Sequence, residues 1–274
     1  MGDRGREDRR QRLPRGTRHR AIGAVRGWLG RTVLRPVETW LARIVRTEVE
    51  RVVGQSEFRA RRDLLAAGER DAARSSARWA HRVMPTARQF HDPLSTLEYA
   101  LRIAPQGGMA LEFGVFEGRS LAVIAEARKQ REVYGFDSFE GLPEDYRPHV
   151  RQGAFALDQL PDVDGAELVV GWFDDTLPSF LASHPGTVDF LHVDGDLYSS
   201  AVTVLTLVGP RLLAGSVVVF DEFFNWPGWE DDGEFRAWQE YLARTGTRVE
   251  YEAYTSNNEQ VVVRILEPGQ PPEG

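Results

Sequence analysis

The chain has 274 residues, of which 42% are hydrophobic and 27% are charged, and its formal net charge is −7. This composition is typical of a globular protein with one large domain and an extension. Cysteine is absent, which excludes disulfides and thiolate metal sites. There is no apolar run of about 18 residues and no apolar block after the basic start, so we expect a cytoplasmic protein.

Positive charge is concentrated at the start of the chain. Residues 1–62 carry 17 arginines against 7 acidic residues, so the remainder is strongly acidic. We expect a disordered basic tail over residues 1–20, because almost nothing in it can be buried. From residue 21 to residue 52 apolar side chains recur at helical spacing, interrupted at Pro36, and this pattern predicts a helical arm.

The basic arm leaves several partners open. It packs on its own domain or on a second subunit, or it lies on a membrane surface. Nucleic acid is disfavoured because the body of the chain is acidic and basic residues do not alternate with aromatic ones. The apolar stripe is too long to remain solvated, so we expect a homodimer or a larger homo-oligomer, with peripheral membrane contact as the less favoured alternative.

The rest of the chain predicts an α/β domain. Residues 56–105 have helical patterning, so we expect a helical arm and cap over 21–105. Short apolar strands then alternate with helices, which predicts a parallel sheet; these strands are 109–114, 132–136, 167–170, 188–193 and 216–220. Segments 247–254 and 260–265 predict a closing antiparallel hairpin. We therefore expect a Rossmann-like, mainly parallel seven-stranded sheet over 106–266 and a tail over 267–274.

A glycine turn follows the first of these strands. Gly114 and Gly118 lie four residues apart between an apolar run and a helical pattern, an arrangement that lets a nucleotide-like ligand approach the backbone. Asp137 ends the next strand about 20 residues later, where a carboxylate can bind ribose hydroxyls. A dinucleotide does not fit, because Phe116 replaces the middle glycine and Glu112 would repel a pyrophosphate. An acid such as Glu112 instead suits a ligand that carries an ammonium and a sulfonium group, and S-adenosylmethionine is such a ligand.

Two pairs of acids follow neighbouring strands. Asp194 and Asp196 come after one strand, and Asp221 and Glu222 come after the next. Parallel strands end at the same rim of a sheet, so four carboxylates are expected to crowd one place. Oxygen ligands at that density predict a hard cation such as Mg²⁺. The alternative is that these are ordinary helix caps and solvated loop acids.

Four blocks of the sequence, 111–118, 133–143, 171–178 and 194–198, carry a family resemblance. Together they resemble the macrocin O-methyltransferase family, which includes the mycinamicin and novobiocin sugar methyltransferases. The blocks occur in order, and the resemblance covers about residues 90–266. It implies a class I methyltransferase that uses S-adenosylmethionine and magnesium to methylate a sugar hydroxyl, commonly as a dimer or larger oligomer.

The resemblance also implies residue roles. Metal ligation falls to Asp194, Asp221 and Glu222, and Asp196 is the implied general base, with His192 as a second candidate base. We expect the cofactor to contact a larger set, namely Glu112, Gly114, Phe116, Gly118, Ser120, Asp137, Ser138, Phe139, Asp174 and Asp175. The family's antibiotic-sugar members have paired aspartates where this chain has Asp221 and Glu222.

Two further stretches bear on the acceptor. The aromatic residues over 223–229, including Trp226 and Trp229, are expected to change the substrate wall by stacking on a sugar face or an aromatic ring. The long polar loop over 144–160 predicts a lid. Two other functions remain open, methylation of a catechol or another aromatic hydroxyl and non-catalytic binding of S-adenosylmethionine.

Overall fold

The computed structural model describes residues 35–129 and 132–269. They form two compact units, which divide between Leu64 and Leu65. The predicted basic tail over 1–20 and the first part of the predicted arm, up to residue 34, lie outside the described residues, as do residues 270–274. Residues 65–105 belong to the same compact unit as the predicted sheet.

The first unit contains helix α1, Arg35–Ala60. Its large apolar side chains are exposed, and they are Trp40, Leu41, Ile44, Val45, Val49, Val52 and Val53. Among the described residues, no helix is both long enough and apolar enough to cross a membrane. Helix α1 lies within the stretch predicted as a helical arm, and both the arm and oligomerisation through its apolar side chains stay predictions.

The second unit is built on a sheet of eight strands. Their bounds are β1 Arg88–Phe90, β2 Met109–Phe113, β3 Val133–Asp137, β4 Glu167–Val170, β5 Val188–Val193, β6 Leu212–Phe220, β7 Arg248–Thr255 and β8 Val261–Glu267. They lie in the order β1-β7-β8-β6-β5-β2-β3-β4. Strand β8 is antiparallel to β6 and β7, and the other neighbours are parallel.

The predicted fold class is confirmed, with one added strand. Strand β1 lies inside the stretch that we expected to be helical, and it pairs in parallel with β7, Arg88 opposite Ala253. A strand of three residues is too short to show the alternation of apolar and polar residues by which strands are recognised. Its hydrogen bonds to β7 hold it in the sheet. The sheet therefore has eight strands where the sequence predicted seven.

Helices cover both faces of this sheet. The helices that follow α1 in the chain are α2 Leu64–Val83, α3 Pro93–Ile103, α4 Arg119–Arg128, α5 Phe173–Ser183, α6 Tyr198–Val208 and α7 Gly233–Thr245. Every residue of β2 and β5 is buried, which explains why these strands read as continuous apolar runs. Phe113 pairs with Val193, and Val193 pairs with Phe220, so the ends of β2, β5 and β6 meet at one rim.

Candidate functional site

The glycine turn after β2 allows the backbone to come close to the end of β5. Gly114 has φ 93°, and a Cβ added there would lie 1.7 Å from the carbonyl oxygen of Asp194. No other residue fits that position without moving the strand. Gly118 forms the N-cap of α4 and provides no side-chain hydrogen bond, so the first N–H groups of α4 remain open to a ligand.

Asp137 holds this turn in place. Its Oδ2 accepts the N–H groups of Val115 and Phe116, each at 2.9 Å, and its Oδ1 accepts the N–H of Phe139 at 2.7 Å. Oδ2 already accepts two N–H groups, whereas Oδ1 accepts one and keeps a second acceptor position, so Asp137 can still bind a further donor such as a ribose hydroxyl. The predicted ribose carboxylate is therefore also the residue that shapes the glycine turn.

A cavity of about 530 Å³ opens beside the turn. Six of the ten predicted cofactor residues line it, namely Gly114, Phe116, Asp137, Ser138, Asp174 and Asp175, together with the acids Asp194, Asp196 and Glu222. Several apolar lining residues were not predicted from the sequence, among them Leu142, Phe155, Trp172 and Phe173. The volume lies within the range of small-molecule and cofactor sites.

A second cavity, of about 340 Å³, lies next to the first. Arg119 and Ser120, at the first turn of α4, line one part of it, and Leu94 and Leu97 of α3 line another. Its polar part is formed by two acids, Asp194 and Asp221, together with His192 and Gln260. Asp194 lines both cavities, so the two cavities adjoin at this residue.

Three predicted cofactor residues have other surroundings. Glu112 is fully buried, with Oε1 on His192 and Oε2 without a hydrogen-bond partner within the described part of the chain. Gly118 lies against Val163, and Phe139 is buried in the core. Neither cavity is lined by these three residues. Glu112 pairs with His192 because the two residues stand opposite each other in the register of β2 and β5.

His192 lies between two carboxylates. Its Nδ1 is 2.8 Å from Oε1 of Glu112, and its Nε2 is 3.6 Å from Oδ1 of Asp221. Burial favours the neutral imidazole, but the nearby Asp221 and Glu112 carboxylates raise the pKa of His192 well above its usual value. Both ring nitrogens thus face an acceptor in the folded protein.

The acids at the rim titrate abnormally. Burial, reinforced by neighbouring carboxylates, raises the pKa values of Asp194 and Glu222 well above the usual range. Burial also raises the pKa of Asp196 to about 6, with the Arg147 guanidinium acting in the opposite direction. Burial disfavours the ionised Asp221 as well, yet His192 brings the pKa of that carboxyl below its usual value.

Glu234 is a further acid at this rim that the sequence analysis missed. It is fully buried in the first turn of α7, and its Oε2 accepts the backbone N–H of Glu222 at 2.9 Å. Burial and the Asp221 carboxylate raise the pKa of Glu234 well above its usual value. Acids are common in the first turn of any helix, so its position carried no distinguishing signal.

The donor set at the rim fits a divalent cation. One ligand atom each from His192, Asp194 and Asp221 lie within 4.8 Å of one another. Oε2 of Glu222 and Oε1 of Glu234 are buried and make no hydrogen bond within the described residues, and unpaired buried acceptors are costly unless a cation satisfies them. Carboxylate oxygens suit Mg²⁺, whereas an imidazole ligand also suits transition metals.

The aromatic stretch over 223–229 is packed in the core. Trp226 and Trp229 are buried, and Nε1 of Trp229 donates to Oγ of Ser75 at 2.8 Å. Trp79 of α2 contacts the Trp229 ring edge-on, with ring centroids 6.1 Å apart. Neither tryptophan lines the two cavities. The expectation that they form the substrate wall was wrong, because α2 covers this stretch.

The predicted lid is an ordered segment that lies at the first cavity. Residues 139–157, which we call the cover segment, close on themselves through backbone hydrogen bonds, from Leu142 N–H to Ala154 O at 2.9 Å and from Leu157 N–H to Phe139 O at 3.1 Å. Leu142 and Phe155 of this segment line the cavity. That the segment opens and closes stays a prediction.

Residues 111–223 match a family model that is described as a methyltransferase domain. Over these residues the chain is similar to a methyltransferase domain. The matched region of this domain begins in β2 and ends just after β6, so it contains the glycine turn, Asp137 and both pairs of rim acids. These are the elements that line the two cavities.

Curated relatives of this methyltransferase domain act on natural products. The chain is 32% identical over 159 residues to the 8-demethyl-8-(2,3-dimethoxy-alpha-L-rhamnosyl)-tetracenomycin-C 4'-O-methyltransferase of Streptomyces olivaceus, covering 47% of this chain and 59% of the relative. It is 28% identical over 157 residues to the demethyldecarbamoylnovobiocin O-methyltransferase of Streptomyces niveus, covering 47% and 58%. The chain thus spans less than two thirds of these relatives, and the predicted family resemblance is confirmed.

A solved structure with a similar fold is that of a calicheamicin methyltransferase. The two chains are 26% identical, with a TM-score of 0.50, and the match covers 62% of this chain and 76% of the other. The similarity supports the Rossmann-like methyltransferase fold described above.

Proposed function

We propose that this chain is an S-adenosylmethionine-dependent O-methyltransferase that methylates a hydroxyl group on the sugar of a glycosylated natural product, with magnesium bound at the rim acids. One observation carries the proposal. The cavity beside the glycine turn and the cavity beside the acid cluster meet at Asp194. A methyl donor and an activated hydroxyl can therefore be held against each other beside Asp194.

The first cavity suits the adenosine part of the cofactor. Asp137 and Ser138 would contact the ribose, and Asp174 and Asp175 line the same cavity. The amino-acid part reaches the second cavity, where Ser120 and the open N-terminus of α4 face a carboxylate and Asp194 faces an ammonium or sulfonium. S-adenosylmethionine would supply a reactive methyl group on a positively charged sulfur.

The rim acids suit the cation and the acceptor oxygen. Asp194, Asp221 and Glu222 hold the cation in this proposal, with Nε2 of His192 close enough to contribute. A bound divalent cation would lower the pKa of the acceptor hydroxyl, which is otherwise far too weak an acid at neutral pH. Glu234 fixes the backbone of Glu222 through its hydrogen bond.

Asp196 is the proposed proton acceptor. It lines the first cavity beside Glu222, and its pKa of about 6 leaves it ionised at neutral pH but poised near the working range of a general base. His192 fits this role less well, because both of its nitrogens face carboxylates. Its geometry supports a different role, orientation of Asp221.

The sugar class of the acceptor rests on the relatives. One relative's name specifies a rhamnosyl tetracenomycin, and a further relative, from Micromonospora griseorubida, is named as a mycinamicin III 3''-O-methyltransferase, 27% identical over 161 residues that cover 47% of this chain and 62% of that protein. Those activities belong to those proteins. The sequence similarity to these relatives, together with the rim acids of this chain, supports the same reaction class here.

Two measurements test the proposal. Calorimetry should show that S-adenosylhomocysteine binds more tightly than NAD, and the opposite order would refute the cofactor assignment. Mass spectrometry should then show methylated product from rhamnosyl glycosides in the presence of S-adenosylmethionine and magnesium. Methylation of catechols alone would replace the sugar assignment with the aromatic one, and cofactor binding without transfer to either class would favour a binding protein.

A further inference from the structure

Arg147 of the cover segment binds the turn between β7 and β8. Its two terminal nitrogens donate to the two carboxylate oxygens of Glu259, at 3.1 Å and 2.7 Å. Glu259 lies in the turn between β7 and β8. A two-pronged bond of this kind fixes both distance and orientation, so the hairpin turn holds the cover segment at a defined place.

The same guanidinium lies against two aromatic rings. Its central carbon is 4.5 Å from the centroid of Tyr146 and 4.5 Å from that of Trp226. Trp226 donates Nε1 to the carbonyl oxygen of Glu222 at 3.0 Å. Arg147 therefore connects the cover segment with the backbone of a proposed cation ligand as well as with the hairpin turn.

The other polar contacts near Arg147 are fewer or more exposed. The hydroxyl of Tyr146 is buried and makes no hydrogen bond within the described part of the chain. A second ion pair in the segment, Arg151 with Asp145 at 2.7 Å, lies at the surface, where the arginine side chain is 74% exposed. The Arg147 side chain is 24% exposed. Exposed pairs contribute little, whereas breaking a desolvated pair is costly.

We propose that Arg147 is a positioning residue which holds the cover segment closed over the cofactor cavity, and that its separation from Glu259 permits cofactor and product to exchange. The proposal rests on the proposed function. Leu142 and Phe155 of the cover segment line that cavity, so outward movement of the segment would remove these two side chains from its lining. Ser199 also donates to Glu144 at 2.8 Å and provides a second, weaker attachment on α6.

The test compares dissociation of S-adenosylhomocysteine from the wild type with dissociation from Arg147→Gln, Glu259→Gln, the double variant and Arg151→Gln as the matched control. We expect Arg147→Gln to release the ligand roughly ten- to a hundredfold faster, since the cover segment should open more often without this partly buried ion pair. The double variant should resemble the single ones, because all three lack the same bond. Arg151→Gln should behave as the wild type.

Hydrogen exchange of residues 139–157 gives a readout that needs no ligand. It should be faster in Arg147→Gln and Glu259→Gln, while exchange in β2 and β5 stays slow, and Arg147→Lys should restore part of the protection. If exchange and dissociation in these variants equal those of Arg151→Gln, the inference is wrong. If the wild type fails to bind S-adenosylhomocysteine, the proposed function fails, and the exchange experiment still decides whether Arg147 holds the segment.

Discussion

Nδ1 of His192 and Oε1 of Glu112 lie 2.8 Å apart in the interior of the sheet, where β5 and β2 place the two residues opposite each other. Glu112 is fully buried and His192 is 3% exposed, so the pair is shielded from water. The bond fixes the imidazole so that Nε2 faces Asp221. A buried carboxylate that orients a histidine toward a metal-binding acid is a common supporting arrangement.

Substitution Glu112→Gln tests the structural role of this pair. The amide keeps the shape but removes the charge that compensates the buried imidazole, so we expect the free energy of unfolding to fall by about 1–3 kcal/mol. Urea denaturation measures the change. Glu117→Gln is the control, since Glu117 forms an exposed pair with Arg119. Equal stability of the two variants would contradict the role of Glu112.

Substitution Asp196→Asn tests the proton acceptor. Turnover should fall by roughly 10²–10⁴, the usual effect of removing a positioned base, while the affinity for S-adenosylhomocysteine stays close to that of the wild type. In the wild type, kcat/KM should rise with pH up to about 6 and then level, because Asp196 must be ionised to accept a proton. Near-normal turnover of Asp196→Asn would show that another group accepts the proton.

The rim acids predict how stability changes with pH when no cation is bound. The folded-state pKa values of Asp194, Glu222 and Glu234 are raised, so the folded protein holds protons that the unfolded chain has already lost. The free energy of unfolding should therefore fall as pH rises above the usual carboxyl range. Urea denaturation in chelator should show this slope, and magnesium should reduce it. Absence of any magnesium effect would count against a cation at the rim.

Substitution Trp229→Phe distinguishes packing from substrate contact. A smaller aromatic ring replaces the indole and the hydrogen bond to Ser75 is lost, so we expect stability to fall by about 1–3 kcal/mol with the acceptor KM unchanged. Thermal denaturation and steady-state kinetics measure the two quantities. A raised acceptor KM without loss of stability would show that this tryptophan touches the acceptor after all.

The positions of the main strands and the rim of acids were predictable from the sequence, because buried parallel strands read as apolar runs and end at or just before Asp137, Asp194 and Asp221. The contacts between side chains were harder to predict. The burial of Glu112 against His192 depends on strand register, and the burial of Trp229 depends on the distant helix α2. A local pattern contains neither relationship.

Contacts between distant loops were the least predictable. Arg147 and Glu259 are 112 positions apart, and each sits in a polar stretch with no period. Glu234 likewise resembles any acid in a first helical turn until its burial beside Glu222 is known. Such residues become visible only when the fold has brought their segments together.

Transfer of a labelled methyl group from S-adenosylmethionine to a rhamnosyl glycoside tests the central claim most directly. With magnesium present, the label should appear in the sugar as a base-stable ether. It should fall to background after exhaustive chelation, return when magnesium is restored, and be strongly reduced in Asp194→Asn. Full transfer in the chelated enzyme, or label appearing only on aromatic hydroxyls, would contradict a cation-assisted methylation of a sugar hydroxyl at this rim.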